Sequence, residues 1–452
     1  MGTLIKNATI INEGLSFKGS LLITGDTISK ILDAADADYD VKVEAIEKMS
    51  DHLEIIDASD MILLPGVIDD QVHFREPGAT HKGDIASESA AAALGGVTSY
   101  MDMPNNNPPC CTIDALEDKY AIAAQCSPNN YSFYLGASNE NFDQVLKLDP
   151  KTNCGVKLFM GSSTGNMLVD NEETLNAIFK GSPTLIATHC EDEATIREAL
   201  AAAKEKYGEE IPVAEHPNIR TREACIKSTA KALELAIKSG ARLHVLHVST
   251  ADEVEMILQA QKENPNITFE LCVHYLWFCD EDYAKYGTHI KCNPAIKRRS
   301  DLEALRNVVA KGLPGAVATD HAPHLLTEKE GNYTKAPSGL PTVQHSLRMM
   351  LQLSKEGAFP IEMVPQMLSH APAQTFAISG RGFIREGYFA DLVLVKGEKD
   401  QEAAPAYKCG WTPIDENALD YGVVHTMVNG QFIVRDYKLT GVRNGKRLTF
   451  DR

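Results

Sequence analysis

The side chains best suited to chemistry in this sequence stand at the ends of short apolar runs. Gln71 and His73 follow one run, Lys157 lies in another, His189 and His247 close two more, and Asp320 sits in Thr319-Asp320-His321-Ala322-Pro323-His324. Imidazole nitrogen and carboxylate oxygen together suit Zn²⁺ or a similar divalent ion, and a site with one open position lowers the pKa of bound water toward ~7. The chemistry implied is metal-assisted hydrolysis, with Asp320 placed to take a proton from water and pass it to a leaving nitrogen. A lone strand-end histidine is more often a hydrogen-bonded structural residue; several converging on one face reverse that reading.

Residues two apart on a strand point the same way, so Gln71, His73 and Arg75 share a face, and a metal ligand stands beside a guanidinium able to grip an anionic substrate. Lys157 is harder to read. A lysine aimed into a barrel is costly unless paired or neutralised, and a neutral amine can add CO₂ to become an anionic carbamate that bridges metals. Spacing alone favours an ordinary Lys–Asp or Lys–Glu pair.

These residues need a scaffold that brings strand ends together. From Pro65 onward, short apolar runs alternate with helical segments such as 84–94 and 222–238; the runs are 62–70, 97–103, 131–137, 155–160, 184–188, 242–248, 267–273 and 315–319. Strands separated by helices at this period predict an α/β protein, a (β/α)₈ TIM barrel whose chemistry lies at the C-terminal strand ends. Residues 1–62 and 373–452 read instead as short strands, with Asn429-Gly430 a hairpin turn, and should pair into one small β-sandwich beside a catalytic barrel of 63–372.

Composition narrows the partners. Lys and Arg number 44 against 62 Asp and Glu, a net charge of -18, which argues against nucleic acid and anionic membrane surfaces. The start lacks an apolar leader and no stretch approaches a spanning length, so a soluble cytoplasmic protein is expected. The ten cysteines, with no Cys-x-x-Cys pair, read as reduced thiols.

Five segments together carry a resemblance: Pro65 to Gly78 (Pro-Gly-Val-Ile-Asp-Asp-Gln-Val-His-Phe-Arg-Glu-Pro-Gly), Met103 to Asn106, Val156 to Met160, His244 to Thr250 and Thr319 to His324. The chain resembles the cyclic amidohydrolases of the amidohydrolase superfamily over almost its whole length, with the dihydroorotases the nearest group. Residue by residue, the resemblance implies that His73, His189 and His247 are metal ligands, that Asp320 is both ligand and catalytic acid/base, and that Lys157 is the carboxylated bridging lysine. It further implies that Arg75, Asn105, Asn293 and His324 hold the substrate's carboxylate and ring, with the backbone at Ser338 and Gly339 closing over the ring. The cofactors implied are one or two Zn²⁺ per chain and CO₂ as the carbamate on Lys157. The partner implied is a small molecule, carbamoyl-aspartate or dihydroorotate, interconverted in pyrimidine synthesis; a homo-oligomer is left open.

One position departs from the pattern. Where the family has His-x-His this chain has Gln71-Val72-His73, and an amide oxygen is a neutral, weaker zinc ligand than imidazole. Gln71 is therefore either a weak ligand or a neighbour of the ligands, and one metal or two remains open. Two alternatives accompany the reading: an allantoinase or hydantoinase, which usually lack the arginine, and an inactive scaffold for aspartate transcarbamoylase. Of the other histidines, His244 should pack outward, three residues before His247, and residues 325–337 are a polar candidate for a loop that closes over substrate.

Overall fold

The computed structural model describes residues 2–49, 52–160, 167–398 and 404–452. The barrel strands are Val67–Val72, Val97–Asp102, an interrupted third at Asn130–Phe133 and Leu135–Gly136, then Val156–Phe159, Ile186–His189, Leu243–Val245, Ile267–Cys272 and Ala316–Ala318. Each pairs in parallel with its successor, apart from the break within the third, and a parallel bridge from Val72 to His321 closes the ring. Nearly every strand residue is buried, as expected of parallel strands covered on both faces.

Side-chain caps start several of the helices that follow the strands. Asp84 accepts from Ser87 N to start Ile85–Leu94, Thr221 accepts from Ala224 N to start Arg222–Ser239, and Thr250 accepts from Glu253 N to start Ala251–Ala260. The lower part of the barrel is filled by Ile68, Met101, Tyr134, Leu185 and Leu246, packed on Phe376 and Phe450. Chemistry is thereby confined to the opposite mouth.

The terminal segments share one nine-stranded sheet. Its central strand, Gly2–Asn12, pairs antiparallel with Leu15–Thr24 and parallel with Leu53–Asp57 and Ile62–Pro65. Ile62–Pro65 then pairs antiparallel with Leu392–Lys396, joining the N-terminal piece to the C-terminal hairpin Gly422–Val428 and Gln431–Arg435. A bridge between Thr27 and Phe389 folds the sheet back on itself, enclosing Ile5, Ile10, Leu21, Leu63, Leu392 and Val424 in a second core. This is the expected sandwich.

The run expected at 62–70 is two strands that serve two sheets. The break falls at Gly66, where a Cβ would meet the Thr98 Oγ1 at 2.2 Å. An unbroken apolar run fits either sheet equally well, and only this close approach divides it. Among the described residues no helix is long and apolar enough to cross a membrane.

Candidate active site

The strand ends converge on a cavity of about 350 Å³, lined by Gln71, His73, Arg75, Asn105, Lys157, His189, His247, Asn293, Asp320, His324, Ser338 and Gly339. Every residue singled out from sequence is therefore brought to one place, although they come from segments up to 268 positions apart, Gln71 to Gly339. Phe159, Arg220, Ala322 and Pro337 complete the wall. Arg75, His247 and Asp320 have left-handed backbones, φ 68, 41 and 47, which is costly for residues with a Cβ and clusters at functional sites.

The imidazoles are arranged as ligands. His73 Nδ1 lies 2.8 Å from Asn105 Oδ1, and its Nε2 lies 3.0 Å from Asp320 Oδ1. Opposite them, His189 Nδ1 and His247 Nε2 approach to 2.9 Å, and burial holds both imidazoles below their usual pKa and so neutral. Burial by itself would raise Asp320, but His73, His247 and His274 hold it down at about 2, so it is a carboxylate at neutral pH. Imidazole nitrogens and a carboxylate oxygen brought this close together fit a divalent cation, which would ligate them in place of these contacts.

Lys157 lies beneath these groups, 1% exposed, its ammonium 4.7 Å from the centre of the Phe159 ring. Among the described residues it has no hydrogen-bond or ion-pair partner, and burial pulls it down to about 8 against the pull of Asp320 and Glu270. A lowered lysine has more of the neutral amine that could add CO₂. Gln71 turns its Nε2 onto Asp320 Oδ1 at 3.1 Å, and among the described residues its buried Oε1 accepts no hydrogen bond.

Across the cavity the charge is positive. Arg75 Nε donates to Pro323 O at 3.1 Å, while Arg75 Nη2 and Lys82 Nζ lie 3.0 and 3.1 Å from the two ring nitrogens of His324. Burial, together with Arg75, Lys82 and Lys329, keeps that imidazole neutral. Asn293 Oδ1 is buried without a hydrogen-bond donor among the described residues. Gly339, φ 144, comes so close to the strand-eight turn that a Cβ would sit 2.5 Å from Ala322 O. The segment 325–337 is held from inside: Lys329 is fully buried and donates to the carbonyls of Lys291, Pro337 and Gly339 at 3.0, 2.9 and 3.0 Å.

His244 does not pack outward. It lies inside the barrel, its Nε2 3.3 Å from Asp70 on strand one and 3.4 Å from Glu270 on strand seven. Strict alternation ends at Val245, and the left-handed turn at His247 brings both imidazoles to the interior, one layer apart. Glu191 and Arg220 escaped the sequence reading. Glu191 Oε2 lies 3.1 Å from His189 Nε2 and is ion-paired with Arg220 Nη1. The spacing of Glu191 two positions after His189 was a usable signal; Arg220, just ahead of a helix, offered none.

Comparison with known proteins gives the family. The sequence profile of the amidohydrolase family matches residues 62–433, and the chain belongs to that family. It is 32% identical over 380 residues to a dihydroorotase of Halobacterium salinarum, an alignment covering 83% of this chain and 87% of the relative. It is 33% identical over 353 residues to an allantoinase of Bacillus velezensis, covering 76% and 77%. The crystal structure of L-hydantoinase (dihydropyrimidinase) from Arthrobacter aurescens superposes with a TM-score of 0.91 at 25% identity, covering 99% of both chains.

Proposed function

We propose that this protein is a dihydroorotase: it interconverts N-carbamoyl-L-aspartate and L-dihydroorotate in the cytoplasm, using one or two Zn²⁺ held by His73, His189, His247, Asp320 and Lys157, the last as its carbamate. The observation that carries the reading is the juxtaposition of Arg75 and His324 with the imidazole–carboxylate cluster in one cavity. A dihydroorotate carries a carboxylate beside the reacting ring amide, and a guanidinium is the natural grip for it. The hydantoin ring offers such an arginine carbonyl oxygens but no carboxylate to pair with.

A bound divalent cation would activate water and polarise the ring carbonyl. The chain's own residues do the rest. Arg75, Asn105 and His324 hold the substrate carboxylate, and Asn293 with the backbone at Ser338 and Gly339 orients the ring. Asp320, kept anionic, takes the proton of the attacking water and delivers it to the ring nitrogen as the amide opens; cyclisation runs the same transfer backward. Two readings compete. The allantoinase relative supports a sister cyclic amidohydrolase, and Gln71 in place of a stronger ligand supports an inactive scaffold.

The test is elemental analysis of protein purified without chelators, with parallel assays on carbamoyl-aspartate, allantoin and hydantoin. The proposal expects one or two zinc per chain and turnover of carbamoyl-aspartate alone. Turnover of allantoin or hydantoin instead moves the chain to the sister activity, and absence of both metal and turnover makes it a scaffold.

A further inference from the structure

The three site residues with left-handed backbones are held in the same way. Phe74 N, beside Arg75, donates to Asp102 Oδ1 at 2.8 Å; His247 N donates to Glu270 Oε1 at 2.9 Å; and Thr319 N, beside Asp320, donates to Asp69 Oδ1 at 3.2 Å, with Thr319 Oγ1 on Asp69 Oδ2 at 2.6 Å. In each case a carboxylate on the neighbouring strand accepts the backbone N–H at the place where the chain leaves its own strand. Asp102 stands on strand two beside strand one, Glu270 on strand seven beside strand six, and Asp69 on strand one beside strand eight. All three carboxylates are at most 1% exposed. Burying three acids beneath a catalytic mouth is expensive, and a sheet ladder needs none of them.

We propose that Asp69, Asp102 and Glu270 are positioning residues, a ring of buried acceptors that fixes the turned-out backbone of Asp320, Arg75 and His247. Left-handed backbone at a residue with a Cβ persists only where its surroundings over-determine it, and a short N–H to carboxylate bond supplies that constraint. Glu270 is the clearest member, because it acts on the ligand itself. Its Oε1 holds the His247 amide, its Oε2 faces His244, and His244 is turned by Nδ1 onto Thr268 Oγ1 at 2.8 Å. What Glu270 fixes is the direction in which His247 Nε2 meets His189 Nδ1, and so the affinity of the site for its metal. The inference thus rests on the metal-binding reading above.

The experiment tests reach. Glu270→Gln keeps an acceptor oxygen at the right length; Glu270→Asp draws the oxygen back by one methylene. Zn²⁺ dissociation constants are measured for both and for the wild type by chelator competition, alongside the thermal midpoint of each metal-free protein. The expected result is Glu270→Asp binding zinc 10–100-fold more weakly, the range typical of lost ligand support, with Glu270→Gln within about threefold of wild type. Affinity lost in Glu270→Gln but kept in Glu270→Asp, or two variants that bind like wild type, overturns the proposal whatever happens to the thermal midpoints. A wild-type protein that binds no zinc would overturn the functional reading itself, which is a separate failure.

Discussion

Two lysines, one near strand two and one on strand four, are equally buried and entirely different. Lys119 and Lys157 are each 1% exposed. Lys119, on the helix Ile113–Cys126, pairs with Asp102 Oδ2 and donates to Met103 O at 3.0 Å and Asn106 Oδ1 at 2.8 Å, so every proton of its ammonium is used. Lys157 has only a ring face beside it among the described residues. The first is architecture: it neutralises an acid and ties the Met103 to Asn106 turn in place. The second is a group whose desolvation is left uncompensated, and such groups persist where chemistry needs them.

The contrast predicts opposite consequences for similar changes. The largest effect on turnover should come from Asp320→Asn, which keeps the shape of the mouth but removes the proton carrier. Turnover should fall by about 10²–10⁴ or more while substrate binding, read by calorimetry, changes little. Near wild-type turnover would take Asp320 out of its role. Next comes the lysine pair. Lys157→Met should weaken metal binding, and lower turnover by less than Asp320→Asn, without lowering the thermal midpoint of the metal-free protein, because it deletes an unpaired buried charge. Lys119→Met should lower stability by about 3–5 kcal/mol, the usual cost of leaving a buried partner unpaired, as read by denaturant unfolding. If both variants lose the same stability, the distinction between the two lysines fails.

Much of this was legible in the sequence because barrel strands announce themselves twice, as apolar runs and as polar residues where those runs stop. Gln71, His73, His189, His247 and Asp320 were readable in that way, and Lys157 as a charged residue inside such a run. Legibility failed where a residue's position depends on chain geometry and not on period. His244 was misplaced because alternation ends at a left-handed turn that no composition signals. Ile62–Pro65 was assigned to the barrel because an apolar strand looks the same in either sheet. Arg220 reaches the cavity from the stretch between strands five and six, where no periodicity links it to the mouth.

Gln71 belongs with Lys157 on the unsatisfied side of the comparison, and the smallest effect sharpens it. Its Nε2 donates to Asp320 while its Oε1, buried, accepts nothing among the described residues. An orphaned amide oxygen beside neutral imidazoles costs roughly 1–3 kcal/mol, which a cation would recover as a weak ligand. Gln71→His replaces that amide with a stronger zinc donor and removes the Nε2 bond to Asp320. Metal affinity should rise by about tenfold or less, since 1.4 kcal/mol is one decade, and metal content after mild chelation should climb toward two per chain. Turnover should change by only a few-fold, because Asp320 gains a firmer site but loses one of the donors that orient it. If content and affinity stay as they were, Gln71 is a neighbour of the ligands and acts solely through its bond to Asp320.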